Sequence, residues 1–416
     1  MGVRLAGWCE EEFGALKSNG AWRELRTLTY RDGATITIDG KDYVNFGSND
    51  YLGLAQHPKL VEAAIEAVRR WGTGAQASRL VTGNLSLHQD LERATARFKQ
   101  TESCLVFPSG YQANVGLLTA LFMRGDVIIL DKGCHASLVD GARLSGAQIR
   151  VFPHNNLAYL EKLWSQTRGA RRRAVVVESV YSVDGNLAPL PELSVLVGSE
   201  GSKLGVLGGN ERSKLSVLGG NERSDSRPSR HSQTFLIIDD AHATGVLGPQ
   251  GQGSKAHFGL HANYPIEMVW TGTYSKALGS QGGFVCGSRP LRDYLINHAR
   301  AFIYSTGLAP AATAAALRAI ELLQSDTHYL AALKKNIAVF NPQALSPIFP
   351  VVLGSNAAVL KAQADLGKQG FWVPALRYPT VKKGSEQLRL SLRADLEFPA
   401  LKRLVQTLPQ YVSAAR

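Results

Sequence analysis

An α/β fold, with a large and mostly parallel sheet followed by a smaller C-terminal α+β domain, is what this chain of 416 residues predicts. Short β-branched runs recur between about residues 104 and 290 and alternate with helix-like stretches. Near-continuous apolar strands separated by amphipathic helices are the pattern of a parallel sheet covered on both faces. A strong helical run, PAATAAALRAIELLQ at 310–324, then leads into two further strand-like segments.

Taken in order, residues 1–45 read as an N-terminal arm ahead of the large domain, 46–295. Helices are expected at LVEAAIEAVRRWG and VGLLTALFMRG, where apolar residues recur at helical spacing and glycine closes the element. Strands are expected in CLVFPSG, VIILDKGCH, QIRVFPH, AVVVESVYS, TFLIIDDAH, MVWTGTYSK and GGFVCGS. The small domain, 296–416, holds the strand-like IFPVVLG and QLRLSLRAD. One segment interrupts this order. SKLGVLGGNER at 202–212 is followed at once by SKLSVLGGNER at 213–223. The Gly-Gly-Asn in each copy breaks helices, and two copies are too few for a solenoid. Residues 195–233 therefore read as a mobile surface insertion without a catalytic role.

Composition narrows the function classes. Hydrophobic residues at 44% and charged residues at 19% describe an ordinary globular protein. No window approaches the roughly 18 apolar residues of a membrane helix. The N-terminus, MGVRLAGWCEEEFG, carries acids where a signal peptide would be apolar, so no membrane partner and a cytoplasmic location are expected. The net charge of +12 comes from dispersed basic residues, and the dense run Arg171 to Arg173 lacks interleaved aromatics. That run reads as a solvated loop rather than a nucleic-acid site; an anionic small molecule or an acidic carrier protein would also suit a basic surface, and the charge does not decide between these. Cys9, Cys104, Cys134 and Cys286 stand singly, which argues against a metal site or a disulfide framework.

The chemistry lies where the apolar runs end, because ligands of an open α/β sheet collect beyond the carboxyl ends of its strands. Ser109, Gly110 and Tyr111 follow the first run and His135 the second. Glu178 and Ser182 follow AVVV, Asp239 and His242 follow FLII, and Thr273 to Lys276 follow MVW. A lysine able to form a Schiff base, with a carboxylate suited to a pyridinium nitrogen, is the minimum equipment for pyridoxal 5'-phosphate (PLP) chemistry. Lys276 would supply the amine and later a base, and Asp239 would keep the ring nitrogen protonated. His135 can stack on a ring, while His242 and Ser182 can bind a phenolic oxygen. Thr273 and Ser275 offer hydroxyls to a phosphate, and Gly110 and Tyr111 offer N–H groups at a helix start. Each residue alone also has a structural explanation: a surface lysine, a capping aspartate, a buried histidine. Their shared position at strand ends favours the cofactor.

At these residues the chain resembles the α-oxoamine synthases, PLP enzymes of fold type I. The matching blocks are NFGSNDYLGL (45–54), ASRLVTGNLSLHQDLE (77–92), FPSGYQAN, DKGCHAS, ESVYSVDGNLAPL, DDAHATGVLG, TGTYSKALGSQGG, IYSTGLAP and LRYPTV (376–381). The resemblance spans about residues 22–412. It implies that Lys276 carries PLP, that Gly110, Tyr111, Ser182, His242 and Thr273 bind it, and that Asp239 faces its nitrogen. It further implies that His135, Arg23, Arg377 and Thr380 contact substrate, the last two facing its carboxylate. A homodimer is implied too, with Ser305 and Thr306 reaching the partner's phosphate. The ASRLVTG and LRYPTV blocks imply the branch that condenses L-alanine with pimeloyl-CoA or its acyl-carrier-protein (ACP) form, with loss of carbon dioxide. Glycine C-acetyltransferase, 5-aminolevulinate synthase and serine palmitoyltransferase share the chemistry, and a fold type I aminotransferase shares the Lys and Asp pair. A non-catalytic protein disabled by the insertion is the remaining alternative.

Overall fold

All seven expected strands of the large domain form one sheet in the structure, a computed structural model that describes residues 5–198, 233–260 and 266–413. They are β1 (Ser103–Phe107), β2 (Val127–Asp131), β3 (Gln148–Phe152), β4 (Arg172–Glu178), β5 (Gln233–Asp239), β6 (Glu267–Thr273) and β7 (Gly283–Gly287). Their order across the sheet is β1-β7-β6-β5-β4-β2-β3. The pairs from β6 through β5, β4 and β2 to β3 are parallel. β7 runs antiparallel to both its neighbours, β1 and β6. Both faces are covered: alternate residues of one strand, such as Val175 and Val177 against Ala174 and Val176, fall into two separate hydrophobic cores. Such double burial explains why these strands read as unbroken apolar runs. β3, at the sheet's edge, is the exception, with Gln148 exposed and Arg150 half-buried.

The helix expected after the first strand, α1, runs Gly110–Leu121 and stops before the phenylalanine of the predicted run, because Phe122 is extended. α2 (Ala136–Ser145) follows β2 and closes on Gly146, in the left-handed region at φ 74°. Helix Pro58–Trp71 and the long helix Pro310–Ser325 form as expected.

The C-terminal part contains an antiparallel sheet of Ile348–Val352, Gln387–Ser391 and Ala375–Leu376. The N-terminal arm does not stand apart from it: strand Lys41–Asn45 pairs in parallel with Phe371–Trp372. Main-chain bonds from Ser391 N to Phe46 O (2.7 Å) and from Ala394 N to Tyr51 O (2.7 Å) then bring the NFGSNDY block onto the QLRLSL strand. Of the segment read as an insertion, 195–198 completes helix Leu190–Gly198 and Gln233 opens β5; the tandem copies lie outside the described residues. Among the described residues no helix is long and apolar enough to cross a membrane.

Candidate active site

The ends of β1, β2, β4, β5 and β6 meet at one cleft of about 230 Å³. It is lined by Gly110 and Tyr111, His135, Glu178, Asp239 and His242, and Thr273 and Lys276, among others. Five strand ends converge there because parallel strands share one carboxyl edge.

Asp239, 6% exposed, is held before any ligand arrives. Asn114 of α1 donates from Nδ2 to Oδ2 at 2.8 Å, and the backbone N–H of Ala241 donates to Oδ1 at 3.0 Å. Both donors suit an ionised carboxylate. Lys276 Nζ lies 2.9 Å from His242 Nε2, and His242 Nδ1 lies 2.6 Å from the hydroxyl of buried Tyr51. Burial lowers the Lys276 pKa from the ordinary lysine value, against the pull of the Asp239 and Glu178 carboxylates. Burial, and then the Lys276 charge, push the His242 pKa well below the usual histidine value. The Tyr51 phenol, pushed up to about 12 chiefly by burial, stays protonated. These three groups form a chain along which the lysine's proton can be shared.

On the opposite wall the backbone is built for close approach. A Cβ at Gly283 would lie 2.5 Å from Gly110 N and from the carbonyl carbon of Ser109. The first turn of α1 is thereby seated directly on β7, and the N–H groups of Gly110 and Tyr111 precede the first intrahelical bond. Thr273 Oγ1 donates to Gly282 O (2.7 Å) and accepts from Ser275 N (3.1 Å), fixing the hydroxyl pair Thr273 and Ser275 beside that helix start. A helix N-terminus with adjacent hydroxyls is suited to a phosphate.

His135 caps α2, its Nδ1 accepting from Ser137 N at 3.2 Å, and its ring is exposed at the cleft mouth. The side chain of Tyr111, 48% exposed, turns away and donates to Asp140 Oδ2 at 2.6 Å. Ser182 flanks the cleft: its N–H donates to Glu178 Oε2 (3.1 Å) and its carbonyl accepts from Arg389 Nε (2.6 Å). The expected substrate residues gather elsewhere. Arg23 Nη2 donates to Thr380 Oγ1 at 2.8 Å, outside the cleft lining. Arg377 gives its two terminal nitrogens to the carbonyls of Gly20 (2.8 Å) and Trp22 (3.0 Å), so it anchors the segment that carries Arg23. Ser305 accepts from Gln112 Nε2 at 3.0 Å within the same chain.

Sequence reasoning missed Asn114, Tyr51 and Arg389. Arg389, 8% exposed, reaches Ser182 O, Asn49 Oδ1 (3.2 Å) and Ser391 Oγ (2.7 Å), and its charge acts on Lys276 and His242. The available signal was a charged residue in the middle of a strand whose other residues are buried.

Two buried atoms of this cleft, Glu178 Oε1 and Asn114 Oδ1, have no hydrogen-bond partner. Unpaired buried polar atoms, a glycine-lined helix start and a half-buried lysine sharing the cleft with a preset carboxylate fit a polar, phosphate-bearing aromatic aldehyde.

A family model described as aminotransferase class I and II matches residues 41–199 and 228–408, its gap falling on the tandem copies. The 8-amino-7-oxononanoate synthase of Geobacter sulfurreducens is 39% identical over 406 residues, covering 95% of this chain and 95% of that protein. A solved SPT (serine palmitoyltransferase) with PLP as an internal aldimine superimposes with a TM-score of 0.83 at 25% identity, covering 98% of this chain and 97% of that one. The crystal structure of 8-amino-7-oxononanoate synthase from Francisella tularensis gives 0.71 at 26% identity, covering 89% and 98%. By fold, by matched length and by relatedness, this chain belongs to the aminotransferase class I and II family, as a fold type I enzyme related to the 8-amino-7-oxononanoate synthases.

Proposed function

We propose that the protein binds PLP on Lys276 and condenses L-alanine with a pimeloyl thioester, of CoA or ACP, to 8-amino-7-oxononanoate with release of the thiol and carbon dioxide. The observation that carries this reading is the chain from buried Tyr51 through His242 to Lys276, whose last two members share one cleft with Asp239. The choice of substrates rests on the 39% identical relative named 8-amino-7-oxononanoate synthase. When bound, PLP supplies an electron sink for negative charge at the amino acid's α-carbon.

The residues divide the remaining work. Asp239, fixed by Asn114 and Ala241, holds the ring nitrogen's proton. Gly110, Tyr111, Thr273 and Ser275 hold the phosphate, and His135 covers the ring from the cleft mouth. Ser182 and His242 serve the phenolic oxygen, Ser182 from its place beside the cleft. Lys276, whose ammonium form burial disfavours, would take the α-proton and return it after decarboxylation. A neutral His242 donates from Nε2 to a neutral amine or accepts there from an ammonium, so it follows Lys276 through both states. Buried Arg389, whose Nε and Nη1 are held by Ser182, Asn49 and Ser391, offers its positive charge to an amino-acid carboxylate, and the Arg23 and Thr380 pair, steadied by Arg377, serves the distal part of the acyl substrate.

The working unit is a homodimer. In support, Val81 and Tyr304 are 74% and 71% exposed, beside the bridge that joins Ser78 to Thr306, an apolar surface suited to a second copy. Four free cysteines support a cytoplasmic setting.

A substrate panel tests the assignment. Alanine, glycine and serine are each offered with acetyl, succinyl, pimeloyl and palmitoyl thioesters while thiol and carbon dioxide are followed. Alanine with pimeloyl thioester should give the highest kcat/KM. Preference for serine with palmitoyl thioester, which the SPT neighbour would favour, or for glycine, overturns it. Formation of pyridoxamine phosphate without carbon dioxide would make the protein an aminotransferase.

A further inference from the structure

Beside Asp239 the cleft contains a second buried carboxylate for which the reaction has so far had no use. Glu178, 2% exposed, ends β4 as Asp239 ends β5, and the two are opposed in the parallel register. Adjacent strands stand about 4.8 Å apart, so the two carboxyl groups start from neighbouring backbone positions. Their hydrogen bonds are unequal. Asp239 has Asn114 Nδ2 on one oxygen and Ala241 N on the other. Glu178 has the N–H of Ser182 on Oε2, while Oε1 is buried without a partner. A buried ionised carboxylate needs donors on both oxygens, whereas a neutral acid needs fewer and itself offers an O–H. When two carboxyl groups sit together in environments this different, the proton settles on the one with fewer donors.

We propose that Glu178 is the proton-holding member of a Glu178 and Asp239 pair, kept as a neutral acid so that the Lys276 amine faces one carboxylate rather than two. This rests on Lys276 being the reactive lysine of the cleft. The surroundings agree. Asp239 on β5 repels a second negative charge, and Tyr51, Cys134 and Tyr181 are neutral neighbours that gain no stability from one. Lys276 favours the ionised form, as do the hydrogen-bonded N–H of Ser182 and, least of all, the N–H of His135, which makes no hydrogen bond to the carboxyl, and burial outweighs them. The Glu178 carboxyl is accordingly pushed up to about 8, burial first and the Asp239 charge second. An ionised Glu178 would in turn hold Lys276 as an ammonium, which cannot take a proton. Glu178 is thus a positioning residue that acts through the protonation of Lys276.

Glu178→Gln, an isostere of the neutral acid, is the test, made on the full-length protein with PLP bound and again after its removal. The raised value means that wild-type stability is complete below the ordinary glutamate range near 4.5 and is lost as pH rises toward about 8. Gln cannot ionise, so the melting temperature of E178Q should gain on wild type between pH 5 and pH 9 and then level. Its infrared spectrum at pH 6 should lack a neutral-carboxyl band that wild type shows and loses at high pH. With PLP bound, the alkaline decline in turnover that wild type shows should be blunted in E178Q. A pH-independent melting difference, no neutral-carboxyl band in wild type, or near-complete loss of turnover with the lysine still carrying PLP would overturn the proposal. Should E178Q fail to fold, the wild-type infrared titration decides alone. The stability and infrared readings after PLP removal do not depend on the cofactor, so they separate failure here from failure of the cofactor assignment.

Discussion

Replacing Lys99 by methionine should be among the most destabilising single changes outside the cleft. Lys99 and Asp240 form an ion pair whose side chains are both 0% exposed. The ammonium also donates to Thr244 Oγ1 at 3.1 Å, and Asp240 also accepts from Ser179 Oγ at 2.6 Å and from Ser254 N at 3.1 Å. Met is close to Lys in volume, so Lys99→Met leaves little cavity and isolates the electrostatic effect. Asp240 would keep its two neutral donors and lose the cation paired with it, a buried charge left uncompensated. Breaking a buried pair from one side costs about 3–5 kcal/mol, against about 1.5–3 kcal/mol for a charged hydrogen bond alone. Since Asp240 also fixes the turn between Asp239 and His242, with Thr244 Oγ1 donating to its carbonyl at 2.9 Å, PLP affinity should fall too. Urea unfolding of the PLP-free protein, followed by tryptophan fluorescence and circular dichroism together, measures the loss where the two transitions coincide. The double variant Lys99→Met, Asp240→Leu should recover much of it, because an apolar pair of similar volume removes the orphaned charge. A loss below about 1 kcal/mol in K99M, or a double variant no better than the single, would refute the electrostatic reasoning.

Three further outcomes follow from the cleft. Gly283→Ala drives a methyl into Ser109 and Gly110, rigid backbone on both counts; at about 1–3 kcal/mol for overpacking, PLP should bind roughly 5- to 150-fold more weakly in a fluorescence titration. Arg389→Lys keeps the charge but not the guanidinium contacts to Ser182, Asn49 and Ser391 that position it, so the KM for the amino acid should rise about tenfold with kcat changed less; equal falls in kcat and kcat/KM would place Arg389 in the chemical step instead. Asp239→Asn should retain PLP yet lose about 100-fold or more in turnover, and near-normal turnover would remove the residue from the chemistry.

Much of the fold was legible because strands buried on both faces must be apolar along nearly their whole length, and every one of the seven runs except the edge strand β3 comes close to that. The cleft was legible for the same reason: Glu178, Asp239 and Lys276 stand where those runs stop. What composition does not encode is direction, so GGFVCGS gave no sign of running antiparallel between β1 and β6. Nor does it encode partners remote in sequence. Arg389 meets Asn49 across 340 residues, and Tyr51 meets His242 across 191, only because the N-terminal block lies on the C-terminal strand. Arg377 shows the converse limit: its charge was visible, but not the two carbonyls of the N-terminal segment that claim it.

Borohydride reduction of the PLP-supplied protein, followed by peptide mapping, tests the central claim most directly. One pyridoxyl group should be fixed on the ε-nitrogen of Lys276, within the peptide containing TGTYSKALG. A pyridoxyl group on another lysine, or none on any, would contradict it.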